Sequence, residues 1–158
     1  MIIRLEFSSD VAAPPEQLWR HAGSMSGVNY ELGPWVRMSH PARFASIADA
    51  LAAGAVPGRT IFHSWITLGR LLLLDRHAFG FERLLPGEGF DERSHSWTQR
   101  LWLHRRRVVA IPGGTCVTDQ LEFQPRLFLM APLLRQVVAW LFRHRHRRLR
   151  RRFGDITK

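Results

Sequence analysis

One cysteine, one tyrosine and one lysine stand in a chain of 158 residues. The lone Cys116 excludes an intrachain disulfide and any cysteine-based metal cluster, and it fits a reducing compartment. With one tyrosine beside six tryptophans and ten phenylalanines, bulky apolar surface is plentiful and hydroxyl handles are few. No apolar run reaches membrane-spanning length, because the most apolar stretch, WITLGRLLLL, is ten residues and contains Arg70. The opening MIIRLEFSSD has neither a long apolar core nor a small-residue cleavage site. It is not read as a secretory signal, and a cytoplasmic protein is expected. G-x-S-x-G, GxGxxG and P-loop patterns are missing too, so a nucleophile elbow and nucleotide binding have no support and no cofactor is expected. His63, His77 and His95 stand singly at strand spacing without partners at ligand separation, so no metal site is expected.

The charge present is one-sided and local. Of 23 basic residues all but Lys158 are arginines, and the net charge is +10. Seven of those arginines fall within RHRHRRLRRRF, Arg143 to Phe153, which leaves the rest of the chain near neutral. A surface shaped throughout for nucleic acid would not distribute its charge this way. A chain of this length buries roughly 70% of its unfolded surface and is read as one domain over residues 1–158.

Residues 2–11 alternate as a strand, and AAPPEQLWRHAG follows as a helix with Pro14 and Pro15 in its first turn and Leu18, Trp19 and Ala22 as its buried stripe. A second short helix runs to about Leu32, before Gly33-Pro34, and WVRMS is a short strand. PARFASIADALAAG is predicted helical, with Phe44, Ile47, Ala48 and Leu51 on one face. Strands are then predicted over 59–68, 75–84, 89–96, 98–111 and 115–123, with PGEG and PGG as turns. Strand follows strand without an intervening helix, so the sheet is antiparallel. After Pro125 a long helix extends to Phe153, with Gly154 as its stop.

This order resembles the START-like superfamily, also called Bet v 1-like or SRPBCC. FSSDVAAPPEQLWRH is similar to the family's strand-then-helix opening. Trp102-x-His104, a glycine turn, and Thr115 with Asp119 look like its polyketide cyclase/dehydrase-like ligand-binding subgroup. The resemblance implies an α+β helix-grip fold: a curved antiparallel sheet around the long C-terminal helix, with an apolar cavity between them. It carries over no shared catalytic residue.

The last hairpin can be read for its faces. A turn at Gly113-Gly114, or one spanning Pro112 to Thr115, puts Trp102, His104, Arg106 and Val108 on one face with Val117, Asp119, Leu121 and Phe123. A three-residue turn would flip the faces. The first face is richer in large apolar groups and is placed inward. The preceding hairpin adds Phe79 and Phe81, with Phe90, Glu92 and Ser94 beside them. Two readings of the polar residues stay open. Arg106 holds a ligand carboxylate or carbonyl while His104 moves a proton, or Arg106 and Asp119 pair structurally and His104 bonds a backbone carbonyl. Asp75 and His77 can share a strand face as an acid–base couple. Trp65 and Trp97, like Phe79 and Phe81, read as plain core. PGEGF (86–90) reads as a hairpin turn, or as a rim over a pocket mouth.

On a helical wheel Leu134, Val137, Val138, Leu141, Phe142, Leu149 and Phe153 form the stripe that closes the cavity. Arg143, Arg147 and Arg150 lie opposite, in solvent. Arg145, Arg148 and Arg152 fall in or near the apolar sector. Either the helix overhangs the sheet, or these arginines lie along its rim, where Arg145 is also within reach of an acidic ligand. The ligand site expected from the chain is therefore Phe79, Phe81, Trp102, His104, Arg106, Asp119, Leu121, Phe123, Val138, Leu141 and Phe142. Three function classes follow. The first is a carrier or sensor of a hydrophobic small molecule (lipid, polyketide or aromatic-like). The second is a cyclase or dehydratase with His104 and Asp119 as acid–base pair. The third is a module whose basic helix meets an anionic membrane; nucleic acid is disfavoured, since no aromatic interleaves the arginines.

Overall fold

Proline and glycine punctuate the chain where its direction changes. The computed structural model describes residues 1–69 and 71–156. Strand β1 (Ile3–Val11) leads into α1 (Pro15–Ala22), α2 (Met25–Leu32), β2 (Val36–Met38), a 3-10 turn (Ala42–Phe44) and α3 (Ile47–Ala52). Five consecutive strands follow: β3 (Thr60–Leu68), β4 (Leu72–Leu85), β5 (Gly89–Ser96), β6 (Gln99–Ile111) and β7 (Gly114–Pro125). A second 3-10 turn (Phe128–Met130) opens α4 (Ala131–Phe153), about 34 Å long at 1.5 Å per residue. The seven strands form one antiparallel sheet in the order β1-β7-β6-β5-β4-β3-β2, curled around α4. This is the α+β helix-grip arrangement that the resemblance implies.

Two local expectations shift. The predicted helix over PARFASIADALAAG is broken at Ser46, whose extended backbone lets its side chain accept a hydrogen bond from the Asp49 N–H and cap α3. Phe44 and Ala50 are buried there, while Ala48 and Leu51 are exposed. In α1 the buried residues are Leu18, His21 and Ala22, with Trp19 only half-buried.

The turn between β6 and β7 sits one residue earlier than read from the chain. Ile111 pairs with Gly114 around Pro112-Gly113, and Gly113 has the positive φ of 82° that the tight turn requires. Gly114 is needed for another reason: a Cβ there would lie 2.0 Å from the Val11 carbonyl oxygen of β1. The displacement changes which residues are opposed but not which share a face. Trp102 faces Phe123, His104 faces Leu121, Arg106 faces Asp119 and Val108 faces Val117, all inward.

Two apolar clusters pack under α4. Val11, Leu18, Val108, Val117, Leu149 and Phe153 fill one end, and Ile3, Leu121, Phe123, Ala131, Val138 and Phe142 fill the other. A third, of Met25, Phe44, Ala50 and Phe62, forms a separate wall. The space between that wall and α4 stays open. Phe123→Ala is expected to lower unfolding free energy by about 3–5 kcal/mol in urea denaturation. Val109→Ala, on the opposite face of β6 and exposed, should change it by less than about 0.5 kcal/mol. The reverse ranking would overturn the assignment of faces.

Candidate functional site

The open space is a cavity of about 390 Å³, within the range of small-molecule sites. Its walls are largely apolar. Met25, Val28 and Leu32 come from α2, Phe62 and Phe79 from β3 and β4, and Leu134, Leu141 and Phe142 from α4. The lining residues that are also exposed are Leu74, Met130 and Val137, which places the opening beside the start of β4 and the start of α4.

Of the residues expected to hold a ligand, Phe79, Phe81, Trp102, His104, Val138, Leu141 and Phe142 line this cavity. Leu121 and Phe123 do not; they pack beneath α4 in the apolar layer behind Trp102. Arg106 and Asp119 do not either, and this corrects the reading of Arg106 as a ligand clamp. The guanidinium is 1% exposed and fully committed. Nη1 and Nη2 donate to the two Glu31 carboxylate oxygens at 2.7 and 2.9 Å, while Nε and Nη2 donate to Asp119 at 2.7 Å each. Arg106 and Asp119 therefore form the structural pair of the second reading. His104, however, meets carboxylates rather than a backbone carbonyl: Nε2 lies 2.8 Å from Asp119 and Nδ1 3.4 Å from Glu92.

The network extends in both directions. Glu31, at the end of α2, also accepts from Arg145 Nε at 2.9 Å and forms an ion pair with its Nη2 at 2.9 Å. His21 Nε2 lies 3.2 Å from Glu31 but off the hydrogen-bonding angle. Asp119 is further met by His146 Nε2 at 3.1 Å, and His146 Nδ1 reaches Ser9 Oγ at 2.8 Å. On the cavity side Glu92 bonds His77 Nε2 at 2.7 Å and accepts from Ser94. Burial alone would raise the pKa of each carboxyl, but the cations and donors around it outweigh burial. Arg106 and Arg145 hold Glu31 well below the usual range, Arg106 and His104 do the same for Asp119, and His104 and His77 for Glu92. Burial likewise disfavours the Arg106 charge, yet Asp119 and Glu31 push its pKa well above the ordinary value.

Glu31 was not legible as a site residue. It sits in NYELG with no pattern to mark it, and the only hint was arithmetic: Arg106 and Arg145 both turn inward while Asp119 supplies one negative charge. Asp75 and His77 both line the cavity, as their shared face requires, but they do not bond each other. Asp75 instead accepts from Ser96 Oγ at 2.6 Å, Thr98 Oγ1 at 2.5 Å and three backbone N–H groups. Next to it Gln99, 5% exposed, lines the cavity with a side-chain oxygen that has no hydrogen-bond partner among the described residues.

The basic end of α4 resolves into two sets. Arg145 is buried on Glu31 and over the Phe142 ring, at 4.6 Å. Arg148 and Arg152 lie over the ring of Tyr30, the chain's one tyrosine, at 4.1 and 4.7 Å. Arg143, Arg147 and Arg151 are exposed on the other side. Arg150, expected in solvent, is half-buried and pairs with Asp155 and Ser9.

The curled sheet, the gripped helix and the cavity between them make a START-like, Bet v 1-like fold. Solved structures agree. The chain is similar to CV1439 from Chromobacterium violaceum at 14% identity and a TM-score of 0.68, over 97% of this chain and 96% of that one. It is similar to a START superfamily protein from Mycobacterium smegmatis at 10% identity and 0.61, over 95% and 96%. DynU16, a protein of the dynemicin biosynthetic locus, matches at 12% identity and 0.60 over 96% of this chain, which spans about half (48%) of DynU16. No curated protein sequence matches the chain. The profile described as "Domain of unknown function (DUF8410)" matches residues 9–153, and the chain belongs to that family.

Three carboxyls with depressed pKa values make a sign-definite pH prediction. Their stabilisation is complete above the ordinary values of 4.5 for Glu31 and Glu92 and 3.8 for Asp119, and is lost as pH falls through the lower folded-state values. The melting temperature should therefore drop steeply from about pH 4.5 downward, and Glu92→Gln should make that decline shallower. Arg106→Met, which strips four hydrogen bonds from two buried carboxylates and leaves Glu31 to Arg145 and Asp119 to His104 and His146, should cost about 3–5 kcal/mol at neutral pH. A melting temperature flat down to about pH 3 would contradict the network's role.

Proposed function

We propose that the cavity binds a small, largely apolar molecule (lipid, polyketide or aromatic-like) carrying one hydrogen-bonding group, and that the protein serves as its carrier or sensor. The observation that carries this is the apolar cavity of about 390 Å³ with the unpartnered Gln99 amide in its wall. A buried amide without a partner is costly, and a ligand hydroxyl would satisfy it. The hydroxyls of Ser96 and Thr98 are turned onto Asp75 and so are not competing for that group. The likeness to a START superfamily protein and to a protein of a biosynthetic locus supports a small-molecule ligand.

A cyclase or dehydratase acting on the same molecule is favoured by one feature. His77 and His104 both line the cavity and are joined through Glu92. In that reading His77 replaces Asp119 as the second acid–base group, since Asp119 is fully buried and meets four donors. Turnover lost in a His77→Gln variant that still binds the ligand would favour catalysis over carriage.

Naphthalene and 2-naphthol, which differ by one hydroxyl, test the binding reading in ligand-detected NMR titrations. The natural sequence should bind 2-naphthol roughly five- to tenfold more tightly than naphthalene, and Gln99→Leu should erase that preference while keeping naphthalene affinity. Equal affinities in the natural sequence would remove the role of Gln99. Binding of neither probe would remove the cavity reading itself.

A further inference from the structure

We propose that the open end of the molecule is a docking surface for an anionic lipid bilayer. This end is where β4 and β6 begin and β3, β5 and β7 finish. The tips there are apolar and turned outward: Leu71 is 97% exposed and Leu72 57%, while Phe128 and Leu129 before α4 are 75% and 78% exposed. Residues 65–69 and 71–74 of the most apolar run thus form the projecting end of the β3–β4 hairpin. Soluble surfaces seldom leave so much aliphatic and aromatic area together unless something covers it.

The tryptophans mark the same end. Trp65 and Trp97, expected in the core, are exposed and meet edge to face at 5.5 Å; Trp35 and Trp140 do the same at 6.1 Å. Four of the six tryptophans thus sit on one rim, the residue type favoured where hydrocarbon gives way to headgroups. The segments are physically joined. The Arg126 backbone N–H donates to the Thr98 carbonyl at 2.9 Å and its Nε to the Ser96 carbonyl at 2.8 Å, tying the approach to α4 to the β5–β6 tip.

Charge complementarity selects the occupant. Arg37, Arg76, Arg100, Arg126 and Arg135 lie on or beside this rim, and none has a carboxylate partner among the described residues. The sheet carboxylates nearest this edge are committed. Asp75 is buried under five donors, Glu122 pairs with Arg4, and Glu6 accepts from Gln120. An apolar centre with a cationic margin matches acyl chains bordered by anionic headgroups. A second copy of the chain would bring two sets of unpaired arginines together. Nucleic acid would desolvate the leucines without stacking on them. Leu74, Met130 and Val137 open the cavity onto this face, so an apolar ligand leaving it would meet hydrocarbon rather than water. The docking claim itself does not require an occupied cavity.

The surface is not the arginine run. Leu149 and Phe153 pack with Val11, Val108 and Val117 at the far end of the sheet, about 30 Å along α4 from its start. This separation makes the test sharp. Flotation of the full chain with phosphatidylcholine vesicles, with and without phosphatidylglycerol, should show binding only to the anionic set, weakening with added salt. A Leu71→Asp/Phe128→Asp variant should bind at least about tenfold more weakly. Arg126→Gln and Arg135→Gln should each cost roughly fivefold, and Arg147→Gln/Arg151→Gln should leave binding unchanged. All these positions are exposed, and 2-naphthol affinity checks that each variant keeps its cavity. Absence of binding to anionic vesicles, loss of binding only in the Arg147/Arg151 variant, or a solution dimer abolished by Leu71→Asp/Phe128→Asp would overturn the proposal. Because vesicle and naphthol binding are read separately, a dry cavity and a non-docking rim are distinguishable results.

Discussion

Arg106 is the point through which the rest of the structure is tied. Its guanidinium is buried on β6, yet its partners come from elsewhere: Glu31 from α2 and Asp119 from β7. Arg145 of α4 reaches the same Glu31, and His146 of α4 the same Asp119. One cation thus sets the distances among two strands and two helices. An apolar core tolerates sliding, because dispersion and burial are weakly directional. A planar fork held between two carboxylates does not. The desolvation cost of such a cluster is high, so its value lies in fixing geometry more than in net stability.

Geometry is what a cavity needs. A helix laid on a curled sheet would gain more by closing onto it, and nothing in the apolar clusters prevents that. Pairing α2 and α4 to the sheet through side chains of fixed length holds them apart at one end, and the space between stays open. Two properties of the chain are thus one design. The arginine-rich end of α4 supplies Arg145 to the clamp, and Arg148 and Arg152 to the chain's one tyrosine, on α2.

Much of this was legible beforehand, for identifiable reasons. Strand order and the inward face of β6 and β7 followed from alternation and turn residues, and survived a turn displaced by one residue because faces depend only on parity. Phe79, Trp102, His104 and Phe142 line the cavity wall, where a two-residue period and a helical stripe both point. Glu31 and Gln99 escaped notice, since their roles depend on what lies across a space that no local pattern describes. Trp65 and Trp97 misled for the opposite reason. Large aromatic residues in a strand usually read as core, and only the three-dimensional edge shows them facing outward.

The third apolar cluster gives the cavity an uneven mechanical character. On the α2–α4 side the boundary is an ionic lattice with little compliance. On the α3 side it consists of Phe44, Ala50, Phe62 and their neighbours, joined to the α1–α2 corner by backbone bonds such as Ile47 N–H to Gly23 and Met25 N–H to Ala45. Under the proposed binding function, a guest larger than the resting volume would displace the α3 wall while the α2–α4 wall kept its shape. Selectivity would then belong to the stiff side and tolerance of size to the yielding one, so guests would be told apart by where they place their polar group more than by how bulky they are.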